Sequence, residues 1–244
     1  MPTEIAPGVH RLGDALINFF LIEADDGVTL VDAALPGYQG QLEALLRERG
    51  RTLGGIDAVV LTHAHVDHVG VAEAVRAAGA TVHVHEADAE MAHTGKSHER
   101  ERNMAAYLRH PATWKLLRVA VSKNGMRPTK IAQLTTFTGD QVLEVPGRPR
   151  AIHTPGHSHG HVAYHLPDRG VLLAGDALCT YNPLTGREGP QLMPGAFAFS
   201  SAQAMESLTR IEGLDAGLLL PGHGEPWTDG VATAVARARE AGVT

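Results

Sequence analysis

The feature that restricts this chain most is a repeated order of elements. "GVTLVDAAL" (residues 27–35) resembles "GVLLAGDAL" (170–178), and a helix is expected after each. "GIDAVVLTHAH" (55–65) then matches "GLDAGLLLPGH" (213–223) without a gap, which sets His65 opposite His223. Two apolar strands can resemble each other by chance, but here the succession of elements repeats together with the letters. The expectation is an α/β fold made of two related β-rich halves, each with helices on its outside and the two sheets face to face. Both halves then bring the ends of their buried strands to one shared edge.

Local patterns support this reading. "NFFLIEADDGVTLVDAAL" reads as two strands joined at Asp26-Gly27, a hairpin signal. "YQGQLEALLRERG" and "VAEAVRAAG" have helical apolar spacing and end at Gly50 and Gly79. "IDAVVLT" is a short buried strand, and "DGVATAVARAREAG" is an amphipathic terminal helix. With 244 residues, 43% of them hydrophobic, the chain can bury a sizeable core as one domain over 1–244. Residues 86–135 stand out within it as a helical, irregular insertion.

Composition excludes several classes. A formal net charge of −6 gives no bulk reason to bind nucleic acid. Cys179 is the only cysteine, so neither a disulfide nor a thiolate-rich zinc site is expected. The start "MPTEIAPGVHRLGD" does not read as a signal peptide, and no run of about 18 apolar residues reads as a membrane span. A cytoplasmic protein acting on a small molecule is the expectation, and nothing in the chain fixes an oligomeric state.

"LTHAHVDHVG" places His63, His65, Asp67 and His68 within six residues, directly after the apolar run "AVVL". His63 and His65 are two apart and share a direction in extended chain. A single tetrahedral ion accepts about three side chains from so short a loop, whereas two neighbouring ions could share all four. Other donors stand at comparable places: His157 after a Pro-Gly turn, Asp176 at the end of "LLAGD", and His223 at the end of "LLLPGH". A strand that stops at an ionisable side chain needs a partner for it. Alone, His157 or His223 reads as an ordinary structural histidine; the joint pattern changes that.

"THAHVDH", His157 after "TPG", Asp176 in "GD" and His223 in "PGHG" resemble the metallo-β-lactamase-fold hydrolases, over nearly the whole chain. The resemblance implies a four-layer αββα sandwich. It implies two divalent ions, zinc first, with manganese or iron also compatible. His63, His65 and His157 would hold one ion. Asp67, His68 and His223 would hold the other, and Asp176 would bridge them. Asp32 matches an aspartate that supports the ligands, and His161 takes a similar supporting place. A metal-bridging hydroxide would attack a small ester, lactone or thioester, with Asp67 carrying a proton. Tyr181, just past the bridging aspartate, is either an oxyanion donor or a loop-packing residue.

The β-lactamases of the family place Cys or Ser near the bridging position. Asp176 and the missing export signal therefore count against antibiotic hydrolysis. Glyoxalase II-like hydrolysis of hydroxyacyl thioesters is the nearest alternative, and an iron-dependent redox member of the fold is one of another class. From Lys96 to Lys130 there are nine Lys or Arg against Glu99 and Glu101. That basic segment is either a lid favouring an anionic substrate or a solvated or partner-binding helix face. "CTYNPLTGREGPQLMPGAFAF" (179–199) is long for a connection. Its Leu192, Met193, Phe197 and Phe199 either line a pocket or pack on the sandwich, while Cys179 reads as a small buried residue.

Overall fold

The protein is described from a computed structural model over residues 2–243, so Met1 and Thr244 of the expected domain lie outside the described residues. The first half begins with β1 (Thr3–Ala6), β2 (Val9–Gly13), β3 (Asn18–Ala24) and β4 (Gly27–Val31), paired antiparallel in sequence. The β3–β4 turn falls at Asp25–Asp26, as the Asp-Gly signal requires. Helix α1 (Gln39–Glu48) stops before Gly50, whose φ of +66° an L side chain rarely adopts. Then β5 (Ala58–Val60), β6 (Thr81–His85) and β7 (Thr135–Phe137) add in parallel, giving one sheet of seven strands in chain order. Between β5 and β6 lie the single-turn α2 (Val66–Val69) and α3 (Ala72–Ala77); α4 (Ala89–Thr94) and α5 (Pro111–Ser122) occupy the insertion.

The second half contains β8 (Gln141–Val142), β9 (Arg150–His153), β10 (Val162–Leu166) and β11 (Val171–Gly175). A separate hairpin, β12 (Cys179–Tyr181) with β13 (Glu188–Gln191), precedes α6 (Ser201–Ser207), β14 (Leu218–Pro221) and α7 (Val231–Ala241). The five-stranded sheet has the order β14-β11-β10-β9-β8. The repeated segments pair alike in both halves, β4 with β5 and β11 with β14, each in parallel. One expectation fails: no helix directly follows the second copy of the first segment, because the β12–β13 hairpin intervenes.

Side-chain alternation explains the layering. Phe19 and Leu21 of β3 point to the core shared with α1 and α3, while Phe20 and Ile22 point to the opposite face. That second face meets Val162, Tyr164, Val171 and Leu173 of the other sheet, so the two sheets share one dry interior. Leu172 and Ala174 turn outward to Leu208, Val235 and Ala238, the cover supplied by α7 and the segment after α6. The order is helices, sheet, sheet, helices: the four-layer αββα sandwich.

Tyr164 crosses the inner interface. It is fully buried, and its hydroxyl donates to the Leu61 carbonyl at 2.8 Å, one residue before the histidine-rich loop begins. Burial pushes its pKa up, which keeps the donor protonated. Tyr164→Phe preserves nearly all the packing but leaves that carbonyl without this donor. Denaturant unfolding should therefore show a loss of about 1–3 kcal/mol. A change within about 0.5 kcal/mol would mean that the bond does not help to hold the sheets together.

Candidate metal centre

The strands of both halves end at one rim, and the ionisable residues lie just past their ends. Beyond β5 come His63 and His65, with His65 the last extended residue before α2 and Asp67 and His68 inside that turn. Beyond β11 comes Asp176, beyond β14 His223, and beyond β9 the turn with His157. Close backbone approach is required there. A Cβ at Gly222 would stand 2.3 Å from Asp176 Oδ1, and Gly175 has φ +51° with its Cβ position 2.7 Å from Thr62.

Three imidazole nitrogens form a triangle: His63 Nε2 to His65 Nδ1 3.0 Å, His65 Nδ1 to His157 Nε2 2.8 Å, and His157 Nε2 to His63 Nε2 3.1 Å. Tetrahedral zinc with bonds of about 2.0–2.1 Å sets neighbouring nitrogens about 3.3 Å apart, close to this spacing. Asp67, His68 and His223 form a second cluster, with His223 Nε2 3.5 Å from Asp67 Oδ2. Asp176 stands between the two. Its Oδ2 is 3.3 Å from His157 Nε2 and 3.2 Å from His223 Nε2, and its Oδ1 is 3.5 Å from His68 Nε2. All seven residues expected as ligands therefore converge.

Hydrogen bonds at the far sides of the rings assign their tautomers. Asp32 Oδ2 accepts from His68 Nδ1 at 2.8 Å and from the Thr62 hydroxyl at 2.8 Å, and that hydroxyl accepts from His63 Nδ1 at 3.0 Å. His223 Nδ1 donates to the Leu16 carbonyl. These bonds engage the Nδ1 side of each ring and turn the Nε2 of His63, His68 and His223 toward the cluster. His161 supports a ligand through that ligand's backbone. Its Nε2 accepts from the Asp176 backbone N–H at 2.9 Å, so it places the bridging residue rather than a ligand ring.

Two residues that the sequence reading passed over complete the frame. Asp88, fully buried, accepts from Ala64 N–H at 3.1 Å, the Ser158 hydroxyl at 2.7 Å and Gly160 N–H at 2.7 Å. It ties the loop of His63 and His65 to the loop of His157. His98 comes from the insertion. Its Nδ1 donates to the Glu99 carbonyl at 2.6 Å, so its Nε2 is an acceptor, and it meets His65 Nε2 at 3.0 Å. His65 therefore carries its proton on Nε2 and presents Nδ1 to the triangle. Alternating spacing marks His85 and Asp88 as the end of a strand, but no local signal pairs Asp88 or His98 with a loop so distant in sequence.

The charges suit cations. Burial first, then neighbouring imidazoles, holds His63 and His157 well below the usual histidine range, and burial with His98 pushes His65 down to about 3. Burial would raise Asp176, but His223, His68 and His157 outweigh it and keep the carboxylate ionised. Burial likewise opposes charge on His68, yet Asp32 and Asp176 raise it to about 10; Asp176 also raises His223. In each, the carboxylates hold a proton where a cation would replace it. His68 Nε2, His223 Nε2 and Asp176 Oδ1 are buried without a well-formed hydrogen bond, and a metal supplies the partner they lack. The donor set fits metal cations.

The clusters open into a cavity of about 470 Å³ lined by His65, Asp67, His157, Asp176 and His223 on one side and by the insertion on the other. Tyr181 is not on its wall; it packs against the core of the first half, with Lys115 Nζ 5.9 Å from its ring centre. The loop 179–199 divides its roles: Met193 and Phe197 line the cavity, Leu192 joins the core under α7, and Phe199 packs against His159 with tilted rings, their centres 3.8 Å apart. Cys179 is buried in β12, and burial pushes its thiol pKa up. His98→Ala should weaken metal binding at the three-histidine cluster by about 10–100-fold in chelator competition. His98→Gln, which keeps an acceptor, should recover part of that loss; equal affinities in all three proteins would remove His98 from the site.

Comparison with known proteins agrees with this arrangement. A family model described as the metallo-beta-lactamase superfamily matches residues 12–223. The probable metallo-hydrolase YflN of Bacillus subtilis is 26% identical over 92% of this chain and 87% of its own length. A hydroxyacylglutathione hydrolase of Cereibacter sphaeroides is 31% identical over 73% of this chain, a match spanning 53% of that protein. Among solved structures, a metallo-beta-lactamase family protein from Thermus thermophilus is 29% identical with a TM-score of 0.71, covering 98% of this chain and 80% of that one. A metallo-beta-lactamase variant from Cronobacter sakazakii shares the fold at 22% identity and a TM-score of 0.69, covering 99% and 94% of the two chains. The chain belongs to the metallo-beta-lactamase superfamily.

Proposed function

We propose that this protein hydrolyses a carboxylic ester, lactone or thioester with two divalent cations, zinc by preference, held at neighbouring sites. The observation that carries the reading is the shared carboxylate: Asp176 reaches His157 and His223 with one oxygen and His68 with the other, at the edge of a cavity. Neutral imidazoles with one ionised aspartate between them suit zinc better than magnesium or calcium. His63, His65 and His157 would hold one cation, Asp67, His68 and His223 the other, and Asp176 both. The bound ions would supply Lewis acidity and acidify water, so that hydrolysis proceeds near neutral pH.

The chain's own contribution is placement. Asp32, Thr62, His98 and His161 fix rings and backbone before any substrate arrives. Asp67 lines the cavity and is half-buried, so one carboxylate oxygen can take a proton from the reacting water and pass it to the leaving group. A hydroxyacyl-glutathione thioester is the second reading, suggested by the Cereibacter relative. The cavity counts against it. Among the described residues, Arg100 is the only Lys or Arg on a wall that would have to hold a peptide with two carboxylates.

The test is a panel with zinc-loaded protein: a neutral aryl ester, a lactone, an acyl thioester and a phosphodiester. One or more of the first three should turn over, the phosphodiester should not, and chelation should abolish activity until zinc is returned. Fully metal-loaded protein that turns over none of the first three, or only the phosphodiester, would contradict the reading.

A further inference from the structure

The insertion is basic as a sequence but apolar toward the site. On α5, Thr113, Leu116, Leu117 and Ala120 recur at helical spacing and are buried or half-buried, whereas Trp114, Lys115, Arg118 and Val121 are exposed. Leu116, Leu117 and Ala120 line the cavity beside the ligands. Of the nine basic residues between Lys96 and Lys130, only Arg100 lies on that wall. The other eight lie off the cavity wall, seven of them exposed and Lys123 half-buried with its ammonium 4.6 Å from the Tyr38 ring centre. A polyanion would find one partner in this cavity, while an apolar chain would meet side chains on most sides.

The remaining wall supports the same conclusion. Met91, Met104 and Met193 come from three separate segments and converge on the cavity with Phe197. Thioether side chains are flexible and polarizable, and they adapt to chains of differing length. The volume of about 470 Å³ lies within the usual range for small-molecule sites. A water molecule and an acetyl group alone would leave most of it unfilled.

We propose that this chamber is an acyl pocket: the substrate is an ester or thioester whose acid portion is a medium-length apolar chain lying beneath α5, with its carbonyl at the Asp176 end. This rests on the hydrolase reading above and narrows it to one substrate class. It also replaces steering by the basic segment with burial of apolar surface as the source of selectivity. Each added methylene that enters the chamber should strengthen binding of the reacting complex by about fourfold, the equivalent of about 0.8 kcal/mol.

The experiment has two arms on the zinc-loaded protein. The first measures kcat/KM for p-nitrophenyl acetate, butyrate, hexanoate, octanoate and decanoate, in the wild type and in Ala120→Phe. The second measures binding of the matching series of methyl ketones, which are uncharged and cannot be hydrolysed, by calorimetry. The wild type should favour longer chains in both arms until the chamber is full, with a negative heat-capacity change on ketone binding. Ala120→Phe, with metal content and melting temperature as checks on folding, should lower the octanoate-to-acetate ratio at least tenfold. Ester turnover with no dependence on chain length, together with flat ketone affinities, would overturn the acyl pocket and leave the hydrolase reading standing. Ketone affinities that rise with length, with no ester or thioester turned over, would contradict the hydrolase reading and the ester substrate with it, leaving only an apolar-chain site. An unchanged octanoate-to-acetate ratio in a folded Ala120→Phe variant would also overturn the pocket.

Discussion

The structure depends on one buried charge. Asp176 lies in the interior with its carboxylate ionised, and it is tolerable there only because imidazoles from both halves of the chain surround it. Those rings sit on loops that follow β5, β9 and β14, so the carboxylate draws the two halves together at one edge of the sandwich. The hydrogen bonds behind the rings hold them rigidly. Asp32 serves both His68 and Thr62, Asp88 joins two ligand loops, and His161 holds the backbone of Asp176 itself. Three imidazole nitrogens converge at about 3 Å and buried polar atoms lack protein partners, an arrangement that suits a shared cation. The protein is built around groups that it does not itself provide.

Much of this was legible in the sequence for a definite reason. Ligands of this kind follow buried strands, and a buried strand that stops at His or Asp is conspicuous in one dimension. The repeat marked two related halves, and the structure shows that its corresponding strands pair alike, β4 with β5 and β11 with β14. The hairpin that follows Leu178 was not legible as strands. Its Gly- and Pro-rich letters signal turns, and its two short strands pair only with each other.

The supporting residues were harder to find. Asp88 and His98 look like ordinary polar residues in their own segments, and their roles appear only when the chain returns from about 70 residues later or 33 residues earlier. The insertion shows a different limit. A net positive count along residues 96–130 says nothing about which face carries it, yet the helical spacing of Thr113, Leu116, Leu117 and Ala120 was present in the letters. Periodicity, not total charge, decides what a lid offers its substrate. The covering segment and the metal cluster are also joined physically, since His98 of the insertion bonds His65.

We propose that the seven converging residues form two cation sites sharing Asp176. The most direct test is metal content by mass spectrometry after saturation with zinc and removal of excess by dialysis, for the wild type and Asp176→Ala. The wild type should retain two ions per chain, and the variant should lose at least one while remaining folded. A wild type that retains one ion or none, or a folded Asp176→Ala protein that still holds two as tightly, would contradict it.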